Sequence, residues 1–177
     1  MINSKLKEMH IERLHTDDLD RIRVLTERLD FTNNINYLER CLRDPDRVVL
    51  VARMMDGTDC GIAILNGGPS YPMFRRLNIP EIQDVNVAHS ARGQGVGAAL
   101  IAAAEAAARE KGASQVGIGV GLHAGFGAAQ RLYVRLGYVP DGAGIADDDG
   151  RSAHPGDVRP IDDALCLWMV KEVLVDR

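Results

Sequence analysis

Apolar residues recur along this chain with two periods. MHIERL (9–14) alternates and predicts a first strand. In TDDLDRIRVLTERL (16–29), Leu19, Ile22, Leu25 and Leu29 return at helical spacing, with Thr16 as candidate N-cap. NNINYLERCLRD (33–44) predicts a second short helix, stopped at Asp44-Pro45. RVVLVARM (47–54) and CGIAIL (60–65) are β-rich runs on either side of MDGTD, which predicts a hairpin. NGGPSYPMFRRLNIP (66–80) reads as a long loop, EIQDVNV (81–87) as a strand, and the alanine-rich run to Gly112 as a helix closed by that glycine. SQVGIGV (114–120) is a strand, AAQRLYVRLG (128–137) a helix ended by Gly137, and ALCLWMVKEV (164–173) a buried strand. With a short strand around GYVPD, the order is β-α-α-β-β-β-α-β-α-β-β. That order predicts one α/β domain over residues 1–177, built on a mixed sheet.

Composition narrows the function classes. The chain has 177 residues, 46% hydrophobic and 26% charged, enough for one globular core. No apolar run reaches membrane-spanning length, so no membrane partner is expected. The opening MINSKLKEMHIERLH lacks the apolar core of a secretion signal, so a cytoplasmic location is expected. Cys41, Cys60 and Cys166 fit neither a disulfide framework nor a zinc pattern, and no metal is expected. The net charge of −4 argues against nucleic acid as a partner. Most of that charge is local, because residues 141–177 hold nine acidic and four basic side chains.

ARGQGVGAA (91–99) lies between a strand and a helix. A helix N-terminus leaves N–H groups unpaired and carries partial positive charge, so small residues there let an anion approach the backbone. The plain alternative is a tight turn with no ligand. No Gly-Lys-Ser/Thr triplet occurs, which removes a Walker A loop. Gly119-Val120-Gly121-Leu122-His123-Ala124 fits a dinucleotide fingerprint, but Pro140 spoils the second strand that such a unit needs.

Arg92-Gly93-Gln94-Gly95-Val96-Gly97 matches R/Q-x-x-G-x-G/A, and AAQRLYVRLGYVPDG resembles A-x-x-LY-x-x-x-GF/Y. These two motifs, in this order and at this separation, resemble those of the GNAT superfamily of N-acetyltransferases. The resemblance implies a single-domain, mostly antiparallel sheet flanked by helices, with splayed central strands forming a cleft for acetyl-CoA or coenzyme A. It further implies that Val85, Asn86 and Val87 meet the pantetheine arm and that Arg92, Gly93, Gln94, Gly95, Val96, Gly97 and Ala98 hold the pyrophosphate. Gln130 and Arg135 would also contact the cofactor, and Tyr133 would serve the departing sulfur as acid. One departure stands out, since Phe126 occupies the place where the family often has Asn. The implied activity is acetyl transfer to a primary amine of a small molecule or peptide by direct attack, in a monomer or homodimer. A non-catalytic acyl-CoA sensor on the same fold is the alternative.

The chemistry needs few groups. An alkylammonium of pKa about 10.4 is almost wholly protonated at pH 7, so a base helps free its lone pair. A neutral phenol can then share its proton with the departing thiolate, and no covalent enzyme intermediate is required. For the base, Glu81 aligns with the catalytic glutamate of histone-type members of the family, while Asp84, Asn86 and His89 are further candidates. Plain alternation puts Glu81, Gln83, Val85 and Val87 on one face and Asp84 and Asn86 on the other, unless a bulge breaks the parity. Tyr71, Met73 and Phe74 are either a substrate lid or the anchors of their loop, Trp168 reads as core, and His123 as polar surface. Asp147, Asp148, Asp149, Asp157, Asp162 and Asp163 are either a solvated loop or a field that attracts a cationic acceptor.

Overall fold

The computed structural model describes residues 9–29 and 35–173. Asn33 and Asn34 of the second helical run lie outside them. The chain packs as two compact units, Met1–Asn66 with Ile82–Ala107, and Gly67–Glu81 with Ala108–Arg177.

In the first unit, β1 (Met9–Arg13), β2 (Arg47–Met54), β3 (Asp59–Asn66) and β4 (Glu81–Val87, all but its first residue) follow one another in the sheet. The pairings of β1 with β2 and β2 with β3 are antiparallel, and the second contains an irregularity at Ala52/Arg53. The helices α1 (Leu19–Leu29) and α2 (Ile35–Arg43) cover one face. Ile22, Leu25 and Leu29 of α1 and Leu38 and Cys41 of α2 are buried against Val49, Val51, Ile62 and Ile64. The helical and strand periods read from the sequence meet in this core. The expected cap at Thr16 is not there. Residues Thr16–Asp18 form a 3-10 turn, and the Asp18 carboxylate accepts from the His15 amide at 2.9 Å. The long helix α4 (Val96–Glu110) lies close to the sheet at Gly61. A Cβ there would stand 3.0 Å from Val96 Cγ1 and 3.1 Å from Leu100 Cδ1.

The second unit holds α3 (Pro72–Leu77), β5 (Gln115–Gly121), α5 (Gly127–Arg135), β6 (Val139–Ala146) and β7 (Cys166–Glu172). Its strands run in the order β5-β7-β6 and both pairings are antiparallel. Pro140 is tolerated because β6 lies at the sheet edge beside β7. The fold is α/β with a mostly antiparallel sheet flanked by helices, as the family resemblance implies. The loop expected over 66–80 contains helix α3, which has Pro72 at its first turn and ends on Asn78 in the left-handed region at φ 54°. Both are helix-end signals, and a run of only six residues hid them from periodicity.

Aromatic side chains organise the second core. Tyr71 stacks on Trp168 with ring centroids 4.2 Å apart, and Phe74 meets both rings edge-on at 4.9 and 5.5 Å. Tyr71 and Phe74 are therefore buried anchors and not a lid. The glycines of β5 make room for rings. A Cβ at Gly117 would fall 2.1 Å from Phe74, at Gly119 2.9 Å from Trp168, and at Gly121 2.4 Å from Phe126. The apparent dinucleotide fingerprint is thus a set of ring seats. Gly117→Ala forces Phe74 to move, and overpacking of this kind costs about 1–3 kcal/mol. We expect thermal denaturation of that variant to show a Tm several degrees below wild type.

Candidate active site

β4 carries candidates of the first unit, and its pleat is not regular. Asp84 has φ 53°, in the left-handed region, and is one of two described non-glycine residues with positive φ. Such a residue inside a strand marks a bulge, and the strict alternation expected along 81–87 fails there. The strain is held by side chains. Tyr37 of α2 donates its hydroxyl to Asp84 Oδ2 at 2.6 Å, and Arg47 Nη1 approaches the Tyr37 oxygen at 3.4 Å and Cys41 Sγ at 3.3 Å. Burial pushes the Asp84 carboxyl above its ordinary range, while the Tyr37 hydrogen bond and the Arg47 charge pull it back. Tyr37 itself is pushed up, by burial first and then by Asp84. On the neighbouring residue, Gln83 Oε1 accepts from Asn66 Nδ2 at 3.2 Å. Nothing in the spacing of the sequence pairs Tyr37 with Asp84, so reading the chain alone missed Tyr37.

The segment after β4 answers why so many glycines stand together. Gly93 and Gly95 have φ of 72° and 87°, a conformation that side-chained residues rarely adopt. They turn the chain sharply into α4, and the Gly95 carbonyl accepts the first helical bond from Ala99 at 3.0 Å. The amides from Gly93 to Ala98 donate to no acceptor among the described residues. A Cβ at Gly93 would meet nothing within 4 Å, so the space before the turn is open. Bare amides, a helix dipole and open space suit the pyrophosphate of coenzyme A. Arg92 is exposed and reaches back along the chain. Its Nε donates to the Val87 carbonyl at 3.1 Å, which occupies one lone pair of a group expected to face pantetheine. The Gln94 side chain likewise turns back, to the Ser90 carbonyl at 2.9 Å. Val85, Asn86 and Val87 are half-buried, which leaves part of each accessible.

The remaining candidates belong to the second unit. Tyr133, on α5, is 6% exposed, and burial followed by the nearby Cys166 pushes its phenol up to about 12. It is therefore a neutral donor at every physiological pH. The Cys166 thiol is pushed up to about 12 as well, by burial and then by the charges of Asp148, Glu81, Asp163 and Asp162. Glu81 and part of the acidic stretch thus act on one buried thiol, which in turn acts on Tyr133. Glu81 is itself buried. Gln130 donates to the Gly121 carbonyl at 2.9 Å, and Arg135 is exposed in the last turn of α5. Phe126, in the place of the family Asn, packs against His123 with centroids 4.8 Å apart. Many aspartates of 141–163 have local work. Asp141 accepts from the Tyr71 hydroxyl at 2.9 Å, Asp147 from the Arg151 amide at 2.9 Å, and Asp157 from the His154 amide at 2.9 Å. Asp163 meets His123 Nε2 at 3.1 Å. Crowding by Asp147, Asp149 and Asp162 adds to burial in raising the Asp148 carboxyl.

A model of the acetyltransferase (GNAT) domain matches residues 45–140, more than half of the chain. The chain belongs to the GNAT acetyltransferase family. It is accordingly an acyltransferase that uses acetyl-CoA, and every candidate from Glu81 to Arg135 lies inside the matched segment. Among solved structures, this GNAT enzyme is similar to nourseothricin acetyltransferase at 28% identity, with a TM-score of 0.54 over 74% of this chain and 68% of the other. The yncA protein of Salmonella typhimurium, solved with its cofactor acetyl-CoA, shares the fold at 19% identity, with a TM-score of 0.66 over 96% and 95%. So does the ribosomal-protein-S18-alanine N-acetyltransferase of Escherichia coli, at 17% identity and a TM-score of 0.66 over 93% and 94%. A search of curated proteins finds no match. Among the described residues, no helix is long and apolar enough to cross a membrane.

The glycine turn can be tested without breaking the fold. Gly95→Val is unsuitable, because valine at φ 87° is strained whatever binds there. Gly97 lies within α4, where valine is a better helix residue than glycine. Gly97→Val should keep its Tm and weaken acetyl-CoA binding, measured by calorimetry, by tenfold or more. Unchanged affinity would leave the turn as a turn.

Proposed function

We propose that this GNAT enzyme transfers the acetyl group of acetyl-CoA directly to a cationic primary amine of a small molecule or peptide. The observation that carries the reading is the left-handed glycine turn that opens α4 at 93–98 in the first unit; a buried, neutral tyrosine stands in the second unit at the position of the family acid. Acetyl-CoA supplies the acetyl group as an activated thioester. The amides from Gly93 to Ala98 would hold its pyrophosphate, and the polar backbone of Val85, Asn86 and Val87 its pantetheine arm. Gln130 and Arg135 would contact the cofactor from α5. Arg92 would contribute long-range charge, since its Nε is already engaged.

Tyr133 would donate a hydrogen bond to the departing sulfur. A phenol near 12 is a weaker acid than a thiol near 8.5 by several pKa units. Full proton transfer to the thiolate is therefore uphill, and the phenol acts by sharing its proton while charge develops. Two carboxylates of β4 can serve the amine. The resemblance gives the part of base or water-positioner to Glu81, and Asp84 is the second candidate.

A cationic acceptor is favoured by the charge around Cys166, where Asp148, Asp162, Asp163 and Glu81 act together on a single buried group. Tyr133→Phe should lower kcat about 100-fold, the scale of one acid–base group, with little change in the KM of acetyl-CoA. A thiol-release assay on a panel of primary amines measures both. Replacing Asp162 and Asp163 by Asn should raise the acceptor KM several-fold at low salt and less at high salt. An unchanged acceptor KM at low salt would remove those two aspartates from acceptor binding.

A further inference from the structure

The bulge in β4 has a side-chain arrangement that the cofactor turn does not explain. Asp84 is held at φ 53° while its carboxylate takes a 2.6 Å bond from the Tyr37 hydroxyl. A left-handed aspartate inside a strand is costly, and such outliers persist where the surroundings enforce them. Here the enforcement is specific. Tyr37 comes from α2, and Arg47 at the start of β2 lies within 3.4 Å of its oxygen. Arg47 is in turn bound to Asp44 at 3.2 Å and Cys41 at 3.3 Å. Asp84 is half-buried, with the Tyr37 hydroxyl fixing its carboxylate.

Resting on the proposed transfer to an amine, we infer that Asp84 is the base that takes the acceptor's proton and that Tyr37 is the residue that positions it. The Asp84 carboxylate accepts one proton from the ammonium. The freed lone pair forms the new C–N bond to the acetyl carbon, and the C–S bond breaks with its electron pair going to sulfur. The nitrogen gives up a second proton as the amide forms, and the sulfur gains one to leave as the thiol. Asp84 returns its own proton to solvent, so one ammonium and one thioester yield one amide, one thiol and one proton. Glu81 then keeps the part of ordering water.

The groups facing Asp84 set the direction of its pH dependence. Burial disfavours its charged form, while the Tyr37 hydroxyl and the Arg47 guanidinium favour it. The active form is the carboxylate, so activity rises with pH through the Asp84 titration. Removing the Tyr37 hydroxyl removes a bond that favours the charge, and the rise must move to higher pH.

The test uses the full chain, acetyl-CoA, and spermidine, lysine amide and an alanyl peptide as acceptors. Asp84→Asn suits it, because asparagine tolerates the left-handed region almost as well as aspartate. Acetyl-CoA affinity is measured first and should match wild type in every variant. Asp84→Asn should then lose 100-fold or more in kcat, together with the acid limb of the pH–rate profile. Tyr37→Phe should lose about threefold to tenfold in kcat, a fraction of one base's contribution, and shift that limb to higher pH. A structural role alone would not move the limb. The inference is overturned if wild type acetylates an amine while Asp84→Asn keeps both rate and limb, or if the limb vanishes in Glu81→Gln instead. It is also overturned if Asp84→Asn loses acetyl-CoA binding. A wild-type chain that fails to bind acetyl-CoA, or binds it and acetylates none of the three amines, overturns the proposed function as well.

Discussion

The break in β4 at Asp84 is the constraint on which the first unit turns. A regular strand spends every backbone group on its neighbours and sends side chains alternately to two faces. A left-handed residue in its middle ends that regularity. There the Asp84 carboxylate meets α2, where Tyr37 donates to it. The cost of the left-handed aspartate, about 1–2 kcal/mol, is offset by a charge-assisted bond worth about 1.5–3 kcal/mol. The helices α1 and α2 therefore do more than cover a core, because α2 supplies the partner that makes the break stable.

Six residues after β4, the same economy of backbone recurs with a different residue. Gly93 and Gly95 take the left-handed conformation without side-chain strain, so no supporting network is needed there. Arg92 and Gln94, between and before them, fold their polar groups back onto Val87 and Ser90 carbonyls. The side chains of this turn thus satisfy the turn itself, and its amides are left for a ligand. Aspartate and glycine reach the same corner of backbone space for opposite purposes. One brings a charged side chain to a fixed place, and the other removes side chains from a place.

The legible parts of this chain were those with long periods or dense local signals. The amphipathic helices α1 and α5, the hairpin of β2 and β3 and the apolar β7 follow from periodicity, because each buries one face against a core. The glycine turn was legible because its residue types are demanded by φ and by close approach. Helix α3 was not, since six residues give no period to count. Nor was the role of Gly117, Gly119 and Gly121, because a glycine that seats a ring looks the same in sequence as one that cradles a phosphate. The Tyr37–Asp84 pair was illegible for a different reason. It joins residues 47 apart through a backbone conformation that aspartate seldom adopts, and no local rule encodes that.

The two ends of the reaction differ in what burial does for them. Burial raises both Tyr133 and Asp84 toward their neutral forms. For Tyr133 this costs nothing, because the neutral phenol is the form that donates. For Asp84 it works against the carboxylate that must accept, and the Tyr37 hydroxyl and the Arg47 charge oppose it. An unsupported carboxylate in the same place would become a neutral acid, unable to take a proton, as pH falls toward its raised pKa. An acid can thus be made by packing alone, as around Tyr133, whereas a base in a sheltered strand needs a donor and a cation behind it. The network through α2 and the start of β2 has the composition that this asymmetry requires.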